Sequence, residues 1–356
     1  MKKIKAALLG CTGLVGRQFL RLLDGHPFFD LTCLTASGRS AGRTCAEALA
    51  DAGATMAGAA IRSRVIRETT ATDIIRSGAR IAFSALPAAT AGPLEAELRR
   101  AGLRVFSNAG AHRLDESVPL LIPEVNSGHL ELCRAQLREH EGFIVTNPNC
   151  VVAGLALVLK PLTALGLRAV TVTTFQAVSG GGRRGVPAWD ILGNVVPFIA
   201  GEEEKVVRET GKILGELADD HVAGSPIEVF PSCSRVSVRE GHLQSVSAEF
   251  DRPVGREEIR DALAGFSAGP QRLGLPTAPA APIILREEED RPQPALDINA
   301  GGEGRACGMA VSVGRLRPRG RRCDLFLLLH NTVRGAAGGS VLNAELAVSR
   351  GLVPGR

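Results

Sequence analysis

The run Thr146-Asn147-Pro148-Asn149-Cys150 follows the short apolar segment 143–145 and precedes the apolar stretch 151–165, which reads as a helix. This places Cys150 at a helix N-terminus, where the dipole and free N–H groups lower a thiol pKa and stabilise an oxyanion on a carbonyl bound to sulfur. A nucleophilic thiol needs a proton acceptor. His242, in Arg235-Val236-Ser237-Val238-Arg239-Glu240-Gly241-His242, reads as the end of a strand leading into a turn, and its imidazole is suited to taking that proton. Spacing alone leaves His26, His112, His129 and His330 as alternatives. Arg113, Lys205 and Arg235 are candidate cations for an anionic substrate, and each reads equally well as a surface ion-pair partner.

The opening run 4–9 reads as a buried strand, followed by Gly10-Cys11-Thr12-Gly13-Leu14-Val15-Gly16 and a helix over 17–24. Strand, glycine loop and helix in that order point to dinucleotide binding, with the pyrophosphate at the helix N-terminus. A second strand over 30–36 ends in Ser37-Gly38-Arg39-Ser40. No acid stands there to meet a free ribose 2′-hydroxyl, whereas Arg39 flanked by Ser37 and Ser40 suits the 2′-phosphate of NADP. A dinucleotide beside a helix-capping thiol restricts the chemistry to hydride transfer at a thioester, the reversible interconversion of aldehyde and acyl group. The acyl acceptor could be phosphate, CoA or water.

The elements that must position these groups fall into two domains. Short strands at 80–85 and 104–107, with a helix at 93–101 between them, continue βα units through the first 150 residues and predict a doubly wound parallel sheet. Beyond Cys150 the pattern becomes α+β, with strand-like segments at 169–178 and 234–250 and a helix over 202–217. The Pro- and acid-rich segment 269–304 reads as an excursion, strands resume at 308–316 and 323–329, and a helix over 336–350 closes the chain.

The 356 residues carry 42 Lys+Arg against 37 Asp+Glu and are 45% hydrophobic, an ordinary globular balance without repeats or low-complexity tracts. The +5 surplus is too diffuse to indicate a nucleic-acid or membrane partner. No apolar run approaches the roughly 20 residues of a membrane helix. Lys2, Lys3 and Lys5 precede an apolar core of four residues, too short for a signal peptide, so a cytoplasmic protein is expected. Eight scattered cysteines without a C-x-x-C predict free thiols and no metal site.

With these residues in view, the chain closely resembles the aspartate-semialdehyde dehydrogenases, in the archaeal and fungal branch that also occurs in bacteria. The matching stretches run almost end to end. They include Gly10 to Gly16, Ser84-Ala85-Leu86-Pro87, Ser107-Asn108-Ala109, PLLIPEVN at 119–126, TNPNC at 146–150, QAVSGGG at 176–182, GEEEK at 201–205, ETGKIL at 209–214, PTAP at 276–279 with Pro282, DRPQP at 290–294 and NTVRGAA at 331–337.

The resemblance implies a Rossmann-type NADP-binding domain over 1–149, completed by a C-terminal helix at 331–356. A catalytic and dimerisation domain of the glyceraldehyde-3-phosphate dehydrogenase-like α+β type would span 150–330. It implies that Cys150 is the acyl-accepting nucleophile, His242 the general acid/base and Gln176 a substrate-positioning group. Arg235 would pair with the substrate α-carboxylate and Glu202 with its amino group, while Lys205 and Arg113 would hold phosphate and Asn149 would shape the nucleophile turn. The NADP contacts implied are Gly10, Thr12, Gly13, Leu14, Val15, Gly16, Ser37, Arg39, Ser40, Ser84, Leu86, Pro87, Asn108, Ser179, Gly180 and Asn331, the last beside the nicotinamide.

The implied reaction is reduction of 4-phospho-L-aspartate to L-aspartate 4-semialdehyde and phosphate, feeding lysine, threonine and methionine synthesis, in a homodimer or homotetramer. The sequence departs from the family pattern at Val151-Val152-Ala153, where small polar residues are usual, at Arg183 and Arg184, and at Cys11. Two other readings remain: a malonyl-CoA reductase using the same cysteine, histidine and NADPH, and a non-catalytic NADP-binding sensor.

Overall fold

Apolar residues on both faces of a strand require cover on two sides, the situation of a parallel sheet flanked by helices. The N-terminal strand β1 (Ile4–Leu9) meets this requirement, with every residue except Lys5 buried. The computed structural model describes residues 3–50, 58–182 and 185–353. Arg183 and Arg184, singled out in the sequence, lie outside the described residues.

Around β1 gather β2 (Phe29–Ala36), β3 (Arg67–Glu68), β4 (Ile81–Ser84), β5 (Arg104–Ser107) and β6 (Phe143–Thr146) in the order β3-β2-β1-β4-β5-β6. All neighbours are parallel. This is the Rossmann order, with the crossover between β1 and β4 that opens a crevice at the carboxyl ends of the strands. The first helix, Leu14–Leu23, begins three residues earlier than the sequence pattern indicated. The third loop glycine therefore lies inside its first turn.

The chain divides into two compact units. The first comprises the described parts of Met1–Leu121, Gly128–Asn147 and Ala337–Arg356, and the second Ile122–Ser127 and Pro148–Ala336. The resemblance implies a boundary at 149/150 and a first domain that includes residues 331–336, whereas Pro148–Ala336 lies in the second unit. In the first unit the closing helix Gly338–Ser349 packs on the Leu14–Leu23 helix and on β5. Its Asn343 donates to the Asn147 side chain at 2.8 Å, and its buried Glu345 meets His26 Nε2 at 2.8 Å.

The second unit holds a seven-stranded mixed sheet of β7 (Leu167–Gln176), β8 (Val195–Val196), β11 (Glu228–Val236), β12 (His242–Phe250), β13 (Ile283–Arg286), β14 (Val311–Arg319) and β15 (Arg322–Leu329). Their order is β13-β14-β15-β12-β7-β11-β8. Strict alternation of buried and half-exposed residues along β12 marks a sheet covered on one face.

Three expectations change here. The helix predicted over 202–217 stops at Ile213, because Glu216–Ala218 (β9) pairs with His221–Ala223 (β10) as a hairpin. A Cβ on the intervening Gly215 would meet the Ala223 carbonyl oxygen at 2.2 Å. The segment 234–250 is two strands, β11 and β12, separated by a turn. The excursion 269–304 contains β13, which adds to the sheet parallel to β14.

Candidate active site

Pro148 lacks an N–H, and Asn149 beyond it is extended (φ −50°, ψ 143°), so the chain leaves β6 and turns into the helix Cys150–Thr163. The Asn149 side chain caps that helix by accepting the Val151 N–H at 2.8 Å, and Cys150 is its first residue. The following Val151, Val152 and Ala153 are buried. The Cys150 thiol is half-buried. Cys11, Cys33, Cys45, Cys133, Cys233 and Cys323 are buried free thiols whose pKa values burial pushes up, Cys11 to about 12.

His242, 92 positions further along the chain, is fully buried and places Nε2 3.2 Å from Cys150 Sγ. It opens β12, whereas the sequence read it as leaving a strand for a turn. Among the other candidate imidazoles, His26 and His112 meet carboxylates of the first unit. Ala177 N–H donates to His242 Nδ1 at 3.1 Å. Gly241 N–H donates to Asn331 Oδ1 at 2.9 Å, and Asn331 Nδ2 donates to Ser179 Oγ at 2.8 Å. Asn331 thereby ties together the turns that carry His242 and Ser179. Burial, and next the Arg235 guanidinium, depress the His242 pKa to about 3, against a smaller opposing pull from Gly241.

Arg235 on β11 is paired in register with Gln176 on β7, and its Nη1 donates to the Ala177 carbonyl at 2.9 Å. A Cβ at Gly180 would lie 2.6 Å from that Nη1 and 3.3 Å from His242 Nε2, so a side chain there would have to displace the Arg235 guanidinium. Glu202 begins the helix Glu202–Ile213 and is buried. Its Oε1 accepts from Asn149 Nδ2 at 2.9 Å and Gln176 Nε2 at 3.1 Å, while Lys205 Nζ stands 3.8 Å from Oε2. The structure thus brings Cys150, His242, Gln176, Asn149, Arg235, Glu202 and Lys205 into one unit.

Three features were not singled out from sequence. Buried Glu209, seven residues after Glu202, accepts the Asn149 backbone N–H at 2.5 Å. Two turns of helix separate the two acids on one face, a spacing that was available as a signal. Gly335 packs against the nucleophile so closely that a Cβ there would meet Cys150 Cβ at 2.7 Å. Its neighbour Arg334 makes a buried bidentate pair with Glu124, at 2.7 and 2.8 Å.

In the first unit the glycine loop fits a dinucleotide. A Cβ on Gly16 would fall 2.2 Å from the Gly10 carbonyl oxygen, so helix and loop close into a cradle that admits no side chain there. Gly13 is the N-cap, and Leu14, Val15 and Gly16 lead the helix, where backbone N–H groups lack intrahelical partners. Thr12 accepts from Arg17 through its carbonyl. Ser37 and Ser40 close a turn after β2, with Arg39 exposed between them. The Ser84 carbonyl receives both the backbone and side-chain N–H of Asn108, Leu86 lies against Gly10, and Pro87 starts the helix Ala88–Arg100. Arg113 donates to the Asn108 carbonyl at 2.8 Å.

A dinucleotide cradle in one unit and a thiol–imidazole pair in the other define a nicotinamide-dependent aldehyde dehydrogenase. A family profile described as the semialdehyde dehydrogenase NAD binding domain matches residues 5–133, and one described as the semialdehyde dehydrogenase dimerisation domain matches 159–334. The chain is 45% identical to an aspartate-semialdehyde dehydrogenase of Archaeoglobus fulgidus, over 99% of this chain and 100% of the relative. A crystal structure of the Candida albicans aspartate-semialdehyde dehydrogenase with NADP superposes with a TM-score of 0.88 at 35% identity, covering 98% of this chain and 100% of that one. A malonyl CoA reductase (NADP) of Metallosphaera sedula is 36% identical over 100% of this chain and 99% of its own. The chain belongs to the aspartate-semialdehyde dehydrogenase family.

Proposed function

We propose that the protein carries out the NADPH-dependent reductive dephosphorylation of 4-phospho-L-aspartate to L-aspartate 4-semialdehyde through a thioester on Cys150. The observation that carries this reading is the Cys150 thiol on a helix N-terminus, 3.2 Å from a buried imidazole and in one unit with Arg235, Glu202 and Lys205. Cys150 sulfur attacks the acyl carbon and phosphate departs. The developing carbonyl charge is met by the N–H groups at the start of the helix and by His242.

When bound at the glycine cradle and the Ser37-Arg39-Ser40 turn, NADPH supplies the hydride. Ser84, Leu86, Pro87, Asn108, Ser179, Gly180 and Asn331 are its further proposed contacts. Arg235 reads the α-carboxylate bidentately. Gln176 positions the substrate and Asn149 shapes the turn. Glu202, already holding both amides, keeps acceptor capacity for the substrate ammonium. Lys205 and Arg113 serve the phosphate. We place the reaction in lysine, threonine and methionine synthesis, in a cytoplasmic homodimer or homotetramer. The free thiols and the dimerisation-domain match support those placements. No helix among the described residues is long and apolar enough to cross a membrane.

The relative from Metallosphaera sedula supports a second reading, reduction of malonyl-CoA. Nicotinamide absorbance decides: purified protein with L-aspartate 4-semialdehyde and NADP is expected to form NADPH only when phosphate is added. NADPH oxidation with malonyl-CoA and silence with the aspartyl substrate would transfer the assignment. NADP binding without turnover of either substrate would point to a sensor.

A further inference from the structure

The turn that ends β2 carries a cation and no acid of its own, yet a carboxylate reaches it from the neighbouring strand. Ala36, the last residue of β2, pairs with Glu68, the last residue of β3. Both strands end at the carboxyl edge of the parallel sheet, where the glycine loop after β1 also lies. Glu68 Oε1 stands 3.8 Å from the position a Cβ on Gly38 would take, which puts the carboxylate beside the Ser37-Gly38-Arg39-Ser40 turn. Resting on the reading of that turn as the site of the adenosine ribose, we infer that Glu68 supplies the acid that accepts a free 2′-hydroxyl, so that the protein uses NAD as well as NADP.

The place of Glu68 is fixed on both sides of the turn. On the near side Thr69 Oγ1 lies 3.1 Å from the Ala36 carbonyl oxygen and 3.0 Å from Thr35 Oγ1, tying the end of β3 to the end of β2. On the far side Gly42 N–H donates to the Ile66 carbonyl at 2.9 Å, and Ile66 N–H donates to the Arg43 carbonyl at 2.9 Å. Between them the Ser37 carbonyl accepts the Ser40 N–H at 2.9 Å and closes the turn. Successive side chains of a strand point to opposite faces. Arg67 pairs with Thr35 and acts on the Cys33 thiol, so its charge belongs to the face opposite Glu68. Glu68 and Arg39 are both exposed, and neither is in an ion pair among the described residues.

The consequence follows from what each group offers a ribose. An ionised carboxylate only accepts, so it binds a hydroxyl and repels a phosphate, whereas a guanidinium only donates and favours the phosphate. An acid alone at this point selects NAD, and a cation alone selects NADP. Here both stand at one turn, and their preferences oppose each other. Against the 2′-phosphate, the Glu68 charge acts at the surface, where solvent and salt reduce the like-charge penalty to about threefold to tenfold in affinity. For NAD the 2′-hydroxyl gains a charge-assisted bond worth about tenfold. The two cofactors are therefore expected to bind within about tenfold of each other.

Calorimetric titration of the whole cofactor-free protein with NAD and with NADP tests this. Glu68→Ala should weaken NAD about tenfold and tighten NADP about threefold to tenfold. Glu68→Gln, which keeps an acceptor oxygen without the charge, should tighten NADP as much while losing less NAD. Arg39→Ala should weaken NADP and spare NAD. A wild-type preference for NADP of more than about a hundredfold overturns the inference. So does a Glu68→Ala variant whose two affinities stay unchanged or fall together, the mark of a merely structural side chain. Indifference of NADP to Arg39→Ala would overturn it at its premise, the 2′-phosphate reading of the turn. Because no substrate is present, failure of the aspartyl reading leaves all of these affinities as they are.

Discussion

The Glu209 carboxylate accepts the backbone N–H of Asn149 at 2.5 Å, so the residue before the nucleophile is held by a charge on a different helix. Glu202, on the same helix face, holds the Asn149 side chain at 2.9 Å. Together they clamp both ends of the residue that caps the catalytic helix. Glu209→Ala leaves a buried amide unpaired, at a cost of about 1–3 kcal/mol. Expressed in the transition state, that cost lowers turnover about 5–150-fold. Glu209→Gln, which keeps an acceptor oxygen, should lose less. Steady-state kcat for both variants, beside their urea midpoints, checks this.

Gly335 leaves no room for a methyl group beside Cys150, with 2.7 Å from the position of its Cβ to that of the cysteine. Gly335→Ala must push the nucleophile off its position, and overpacking of this kind costs about 1–3 kcal/mol. Turnover and Cys150 alkylation should fall together while NADP affinity, followed by protein fluorescence quenching, is retained. Unchanged alkylation would show that the helix start yields without moving sulfur.

The Glu124–Arg334 pair is buried at both ends and anchors the segment that carries Gly335. Removing one charge strands the other, so Arg334→Met should destabilise the protein by about 3–5 kcal/mol. Replacing both, as Glu124→Gln with Arg334→Met, should recover part of that loss. Chemical denaturation of the two single variants and the double variant measures the coupling.

The buried His242 also sets an acid limit. In the unfolded chain it titrates near its ordinary value of about 6.5, while the native ring stays neutral down to about 3. Between those values the unfolded state binds the extra proton, so stability rises with pH up to about 6.5 and then levels. Acidifying from pH 6.5 to 5 should cost about 2 kcal/mol through this residue. His242→Gln should remove that slope, as urea unfolding at a series of pH values would show.

Much of this architecture was legible in the residues. Parallel strands covered on both faces leave nearly unbroken apolar runs, so β1 and β5 stood out with their glycine loop and neighbouring helix. Cys150 at a helix start followed from proline, asparagine and the apolar stretch after them. The four-residue β13 was not legible, because its place beside β14 is fixed by pairing while its surroundings read as a polar excursion. His242 could be named as a residue type, but 92 positions separate it from Cys150 and no periodicity spans that gap. The Ala177 N–H and the Gly335 close approach were beyond reach, since both belong to backbone geometry and every residue has a backbone.

The hexapeptide Ile122–Ser127 belongs to the second unit although the chain on either side of it builds the first. Gene fragments cut at the Asn147–Pro148 junction would therefore be mismatched parts: the front piece would carry away Glu124, and the back piece would keep the helix Gly338–Ser349 that closes the front piece's sheet. An exchange of cofactor domains between relatives has to move three separate stretches of coding sequence.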